Sequence, residues 1–243
     1  MQIVNWLPLL STIVTFAFAF FVFRRWWSRR PAHHLLLWGV GLVLYGLGTF
    51  SEFYSTQAWD PTVFRLWYLC GAILTAAWLG QGTVYLLVRR RYVAHVLMAI
   101  LLLGSLFAVF MLWATPLPGD GTFSTSVALS DQYRNILPEG AKVRLLTPFF
   151  NIYGVITLIG GAIYSAFLFW RKRILPNRVL GNVFIAIGAL SPAIGGTLAR
   201  LGSTGFLYGS ELVGAIVMFV GFQLAVAQKP ERRAVPHEAP GSV

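Results

Sequence analysis

Residues 93–114 read VAHVLMAILLLGSLFAVFMLWA, a run without an acid, a lysine or an arginine. As a helix rising 1.5 Å per residue it is about 33 Å long, enough to cross a hydrocarbon layer of about 30 Å. Stretches such as Leu97 to Leu103 do not alternate apolar and polar positions, as the short strands of a membrane β-barrel do. Comparable apolar stretches lie near residues 3–23, 34–55, 63–87, 147–169, 179–201 and 206–227. The reading is therefore all-α: a polytopic membrane protein of seven transmembrane helices, spans 1 to 7 in chain order.

Composition points the same way. Only 11% of the 243 residues are charged and 57% are hydrophobic, whereas a soluble domain carries about 25% charged residues. Residues 1–228 form one seven-helix domain, and residues 229–243, polar and containing Pro230, Pro236 and Pro240, read as a disordered cytoplasmic tail. The one cysteine, Cys70, lies in an apolar run and gives no intrachain disulfide.

A net charge of +11 would suit a nucleic-acid partner if it were spread over a soluble face, but it is clustered between apolar runs. Fourteen of the nineteen basic residues fall at alternate span ends, in the groups Arg24 to Arg30, Arg89 to Arg91, Arg171 to Arg178 and Lys229 to Arg233. The other ends hold Arg65, Arg134, Lys142, Arg144 and Arg200 against six acids. Since Lys and Arg are retained on the cytoplasmic side, the N-terminus is expected outside and the C-terminus inside, with the lipid bilayer and not nucleic acid as the partner. Met1 to Asn5 carries no charge, so the first span reads as retained and not as a cleaved signal peptide. Trp6, Trp26, Trp27, Trp59, Trp67, Trp113 and Trp170 stand near span ends and read as headgroup-level anchors. The cell membrane is the expected location.

One connection is long. It runs from about 115 to 145 on the expected outer side, with Pro116, Pro118, Gly119-Asp120-Gly121 and Pro138, and one reading of it is a lid over the outer mouth. Phe21 to Arg25 before Pro31 resembles Phe167 to Arg171 before Pro176, and Gly71-Ala72-Ile73 echoes Gly214-Ala215-Ile216. A plan of three helices, one linker and three helices follows if this faint repeat is real.

Ionisable groups inside a bilayer cost several kcal/mol and call for a reason. Glu52, Arg65, Arg200 and Glu211 all fall in the outer quarter of their spans, and two ion pairs, Glu52 with Arg65 and Arg200 with Glu211, would neutralise them. Tyr68, Asn151 and Tyr208 lie at the same depth, so the seven residues together define a candidate ligand-binding pocket facing outward. The alternative is that all are interfacial and wet. Deeper amides and hydroxyls, Gln81, Asn182, Ser191 and Gln223 with Trp78, read as interhelical hydrogen-bonding groups. Pro192, followed by Gly195 and Gly196, marks span 6 as the hinge.

Catalytic signals are missing from the chain. There is no His-Glu-x-x-His, no Gly-x-Ser-x-Gly and no lysine within span 7 for a retinal Schiff base. His33, His34 and His95 sit at inner span ends, where headgroup-level histidines are the plain reading. No catalytic residue, metal or cofactor is expected.

Leu37-Trp38-Gly39 through Glu52, Phe64-Arg65-Leu66-Trp67-Tyr68-Leu69, Thr83-Val84-Tyr85, Pro148-Phe149-Phe150-Asn151, Arg171-Lys172-Arg173 and Pro192 form a pattern. It resembles the amino-terminal seven-helix sensor region of some bacterial histidine kinases, as well as unassigned bacterial seven-helix membrane proteins. The resemblance implies a sensor domain. Only fifteen residues follow Gln228, where that family places its kinase domain, so the chain is expected to act alone as a sensor and to signal through a partner. Alternatives are a small-solute transporter similar in outline to the SWEET carriers, an accessory subunit of a membrane complex, or an enzyme on lipid or isoprenoid substrates. Glu211→Gln is expected to abolish ligand response or transport while leaving expression and fold intact, as activity assays beside membrane expression levels would show.

Overall fold

A computed structural model describes residues 3–117, 122–138, 140–173, 176–199 and 205–227, and among them every element is helical. Seven helices are long and apolar enough to cross a membrane: Val4–Ser28, His33–Ser55, Pro61–Leu87, Arg91–Ala114, Lys142–Arg171, Pro176–Gly195 and Gly205–Val226. They correspond to the seven stretches read from the sequence, with ends displaced by up to six residues. The tail from 229 and Arg200 lie outside the described residues.

Local chemistry sets the helix starts. Asp60 caps span 3, its Oδ1 accepting from the backbone N–H of Thr62 at 2.7 Å and of Val63 at 2.9 Å. Pro61 follows at the first helical position, where its missing N–H costs nothing.

Six spans form a ring. Span 1 packs on span 2, span 2 on span 3, span 3 on span 5, span 5 on span 6, span 6 on span 7, and span 7 back on span 1. Span 4 stands outside it, packed on span 3 and on Lys142–Leu145. Its lipid-facing side chains are bare, with Leu103 68% and Leu106 66% exposed, and Phe20, Phe149 and Ile156 are exposed elsewhere on the girdle. Apolar surface of this extent is stable only against hydrocarbon.

The packing of spans 6 and 7 rests on glycines seven residues apart. A Cβ on Gly188 would lie 2.7 Å from the Gly214 carbonyl oxygen, one on Gly214 the same distance from the Gly188 oxygen, and one on Gly221 2.7 Å from the Gly181 oxygen. Gly195 receives the Ser210 side chain. These glycines give room for close backbone approach, and Gly195, which follows Pro192 in the hinge read from the sequence, is a packing position. The helix of span 6 continues through Pro192 to Ala199.

Departures from the α pattern occur in spans 3 and 5. Tyr68–Leu74 and Val155–Ile159 are π-helical, each bond closing one residue later than in an α-helix. Between spans 4 and 5 the connection holds a further helix, Leu129–Ile136. Leu129, Ile136, Leu137 and Val143 are buried with Phe64, Trp67 and Leu112 of the bundle. Gln132 pins the chain ahead of it, accepting from Ser124 N–H and donating to the Ser124 and Val127 carbonyls. The connection is thus a packed cap on that end of the bundle, here the loop end, opposite the basic end.

Gly214→Ala is expected to lower stability by about 1–3 kcal/mol, the range for an added methyl in a tight interior. Gly160→Ala, where a Cβ meets nothing within 4 Å, should leave it unchanged. Unfolding midpoints of the purified variants in one detergent provide the comparison.

Candidate functional site

Inside the ring is a cavity of about 430 Å³, lined by residues of spans 2, 3, 5, 6 and 7 and roofed by Ser130, Asp131 and Tyr133 of the cap helix. It starts near the loop end at Glu52 and reaches the middle of span 2 at Tyr45 and of span 7 at Met218. Its floor is apolar, with Leu79, Leu158 and Met218, and these three also line a smaller apolar crevice that continues among Phe18, Trp38 and Phe222.

Both π-helical stretches face this space. Tyr68, Gly71 and Ala72 line it from span 3, and Val155, Leu158 and Ile159 from span 5. Widening a helix by one residue re-aims side chains and leaves carbonyls that need donors. Thr75 Oγ1 donates to the Cys70 carbonyl at 2.7 Å, and Asn151 Nδ2 to the Ala72 carbonyl at 2.9 Å, across from span 5 to span 3. Gly48 on span 2 faces Gly71, where a Cβ would lie 2.9 Å from the Gly71 Cα.

Of the sequence-predicted residues, Glu52, Tyr68, Asn151 and Glu211 come together on the cavity wall, and Pro192 joins them there. Tyr68 Oη shares a hydrogen bond with Thr147 Oγ1 at 3.0 Å. Tyr208 is buried near both acids but packs in the wall, with Ala128, Leu207, Val4 and Leu7. Arg65 points to the neighbouring span 4, whose last carbonyls at Leu112 and Thr115 accept from its Nε at 3.4 Å and its Nη2 at 3.2 Å. A cation at a helix C-terminus satisfies carbonyls that have no partner within the helix. The expected Glu52–Arg65 ion pair is replaced by this cap, and Arg200 lies outside the described residues.

What faces Glu52 is Glu211. The two carboxyl groups lie within hydrogen-bonding reach of each other, and both residues are buried, 3% and 9% exposed. Trp67 Nε1 donates to Glu52 Oε1 at 2.9 Å, and Tyr45 Oη to the Glu211 backbone carbonyl at 2.9 Å. The second oxygen, Oε2, of each acid has no hydrogen-bond partner. Trp67, read from the sequence as an interfacial anchor, is buried and serves this acid. Among the described residues no lysine or arginine lines the cavity, while three acids do: Glu52, Asp131 and Glu211.

An opening lies to the side. Spans 5 and 6 are joined near the basic end by Asn182 Nδ2 donating to Ser165 Oγ at 3.0 Å and by Ile159, Ala162 and Ala186. Nearer the loop end, Val155 and Ala193 are both exposed and both line the cavity, so it meets the lipid-facing surface between these spans.

The deeper polar groups join helices. Gln81 donates to the Ala94 carbonyl at 2.8 Å and accepts from Tyr153 Oη, linking spans 3, 4 and 5. Trp78 Nε1 bonds Ser105 Oγ at 3.2 Å, and Ser191 Oγ bonds the Ser210 carbonyl at 2.8 Å, whereas Gln223 is exposed. At the basic end His33 stacks on Tyr85, whose hydroxyl meets His95 Nδ1 at 2.8 Å. Among the described residues no three His, Cys, Asp or Glu side chains converge as a metal site requires.

Comparison with protein-family models, with curated proteins and with solved structures finds no match to this chain. The site's own geometry is therefore the basis for a functional reading. Trp67→Phe keeps the ring and removes the donor to Glu52, and is expected to cost about 1–3 kcal/mol, the range for a buried acceptor left unsatisfied. Thermal unfolding in detergent would register the loss.

Proposed function

We propose that this chain is a membrane ligand-binding protein of the sensor type, whose cavity takes a small amphipathic molecule and whose occupancy is passed to a partner. The observation that carries the reading is the cavity itself. About 430 Å³ lies between spans, apolar below and acidic above, within the range of small-molecule sites. Its side opening between spans 5 and 6 suits a ligand that arrives from the leaflet, and the cap helix covers it at the loop end. With basic residues gathered at the opposite end, the cavity belongs to the outer half of the membrane and the basic turns to the cytoplasmic side.

Occupancy acts by favouring one arrangement of the helices over another. Span 6 contributes Pro192 to the cavity wall, the π-helical stretch of span 5 packs beside it, and the π-helical stretch of span 3 lines the same space. A ligand touching all three biases their spacing. The motion it selects ends at the Arg171-Lys172-Arg173 turn, which joins spans 5 and 6 and offers a partner a basic face.

Transport is the second reading, favoured by the peripheral span 4. It leaves two groups of three spans in one ring around a cavity that reaches mid-depth, the arrangement in which carriers hold substrate. Uptake by proteoliposomes separates it from sensing.

Ala193→Trp places a large ring at the side opening, where the native side chain is exposed. It is expected to weaken binding of a fluorescent amphiphile about tenfold or more, measured by titration into nanodiscs with empty nanodiscs subtracted. Equal binding by both proteins would remove the cavity as the ligand site.

A further inference from the structure

The cavity's chemistry selects among amphiphiles by charge. Glu52 and Glu211 are in contact, each has one carboxyl oxygen without a partner, and Asp131 stands above them on the cap helix. Two carboxyl groups side by side, without a basic group against them, need a proton between them or a cation beside them. Arg65, the basic residue that the sequence offers as a counter-ion for Glu52, is committed to span 4.

Next to the acids stand three aromatic rings. Trp67, Tyr68 and Tyr133 all line the cavity, with centroids 6.0 Å apart for Trp67 and Tyr68, 6.0 Å for Tyr68 and Tyr133, and 6.2 Å for Trp67 and Tyr133. Trp67 is tied to Glu52 by its indole N–H, which fixes this cluster against the acid pair. Ring faces attract cations, and clusters of such rings are how quaternary ammonium groups are recognised. Arg134 and Arg144 also lie 5.9 Å from the Tyr133 ring centroid, but neither lines the cavity.

We propose that the ligand is an amphipathic organic monocation, a quaternary or protonated ammonium on an apolar body. Its head lies against Glu52 and Glu211 beside Trp67, Tyr68 and Tyr133, and its body extends to Leu79, Leu158 and Met218. An acid pair sharing one proton carries a single negative charge, which one such head neutralises. The proposal rests on the cavity being a ligand site and adds the class of ligand.

The test uses the full chain in nanodiscs and two fluorescent probes of one shape. The first is a dansyl-hexyl-trimethylammonium ion; the second is its carbon isostere, in which a tert-butyl group replaces the trimethylammonium. Titrations are corrected with empty nanodiscs. The unmodified protein is expected to bind the cation at least about tenfold more tightly than the isostere, and the double variant Glu52→Gln/Glu211→Gln to reduce that preference to about twofold or less. Equal affinities in the unmodified protein would overturn the cation proposal and leave the cavity reading in place. A preference that persists in a folded double variant would also overturn it, by removing the acids as its source. Binding of neither probe above the empty discs would overturn both. Because the ratio in the unmodified protein decides by itself, a variant that fails to fold does not rescue the proposal.

Discussion

Hydrocarbon offers no hydrogen bond, so every polar group that departs from the regular helix pattern has to be satisfied from inside the bundle. The irregular stretches follow this constraint closely. Where spans 3 and 5 widen into π-helix, Thr75 turns back on the Cys70 carbonyl and Asn151 reaches across to that of Ala72. Gln81, fully buried, is held from two sides. Even the end of span 4 is covered, by Arg65. Among the described residues four buried side-chain atoms have no hydrogen-bond partner, Ser11 Oγ and Thr15 Oγ1 on span 1 and Oε2 of Glu52 and of Glu211, and of these only the two carboxyl oxygens belong to residues on the cavity wall.

The cavity exists because its walls are uneven. Glycine contacts bring backbones together at Gly48 and Gly71 and along spans 6 and 7, while the π-helical turns of spans 3 and 5 re-aim the side chains that line the space between. The cap helix closes the loop end with its own apolar residues and contributes Asp131 and Tyr133 to the space below. Polar roof, aromatic flank and apolar floor thus come from elements far apart in the sequence.

Much of the fold is legible in the residues, since seven long apolar runs leave few alternatives. At the site, Glu52, Tyr68, Asn151, Glu211 and Pro192 are legible because a polar group or a proline in such a run is conspicuous. Their partners are not. Opposite charges at equal depth suggest ion pairs, yet depth says nothing about which face of a helix a side chain occupies, and Arg65 faces span 4 while Glu52 faces the ring's interior. Trp67 stands two positions from Arg65 and turns inward, so nearness to a span end misplaces it as an anchor. Tyr208 lies near both acids but is not among the residues that line the cavity. The cap helix escapes notice because Leu129 to Ile136 holds few apolar residues, and those become meaningful only where Phe64 and Leu112 provide a surface for them. The π-helical turns leave no sequence mark of their own. The spacing of seven between Gly181, Gly188 and Gly195, and between Gly214 and Gly221, is the one signal that could have shown how spans 6 and 7 meet.

That spacing has a mechanical consequence. Two helices whose backbones touch at Gly188 and Gly214 and again at Gly181 and Gly221 have no side chain separating their backbones at those two levels, so they translate and tilt as one lever. Pro192 and Glu211 are fixed to the same lever, one on each helix. Any force applied at the cavity wall therefore reaches the far ends of both helices together, with no slack lost between them.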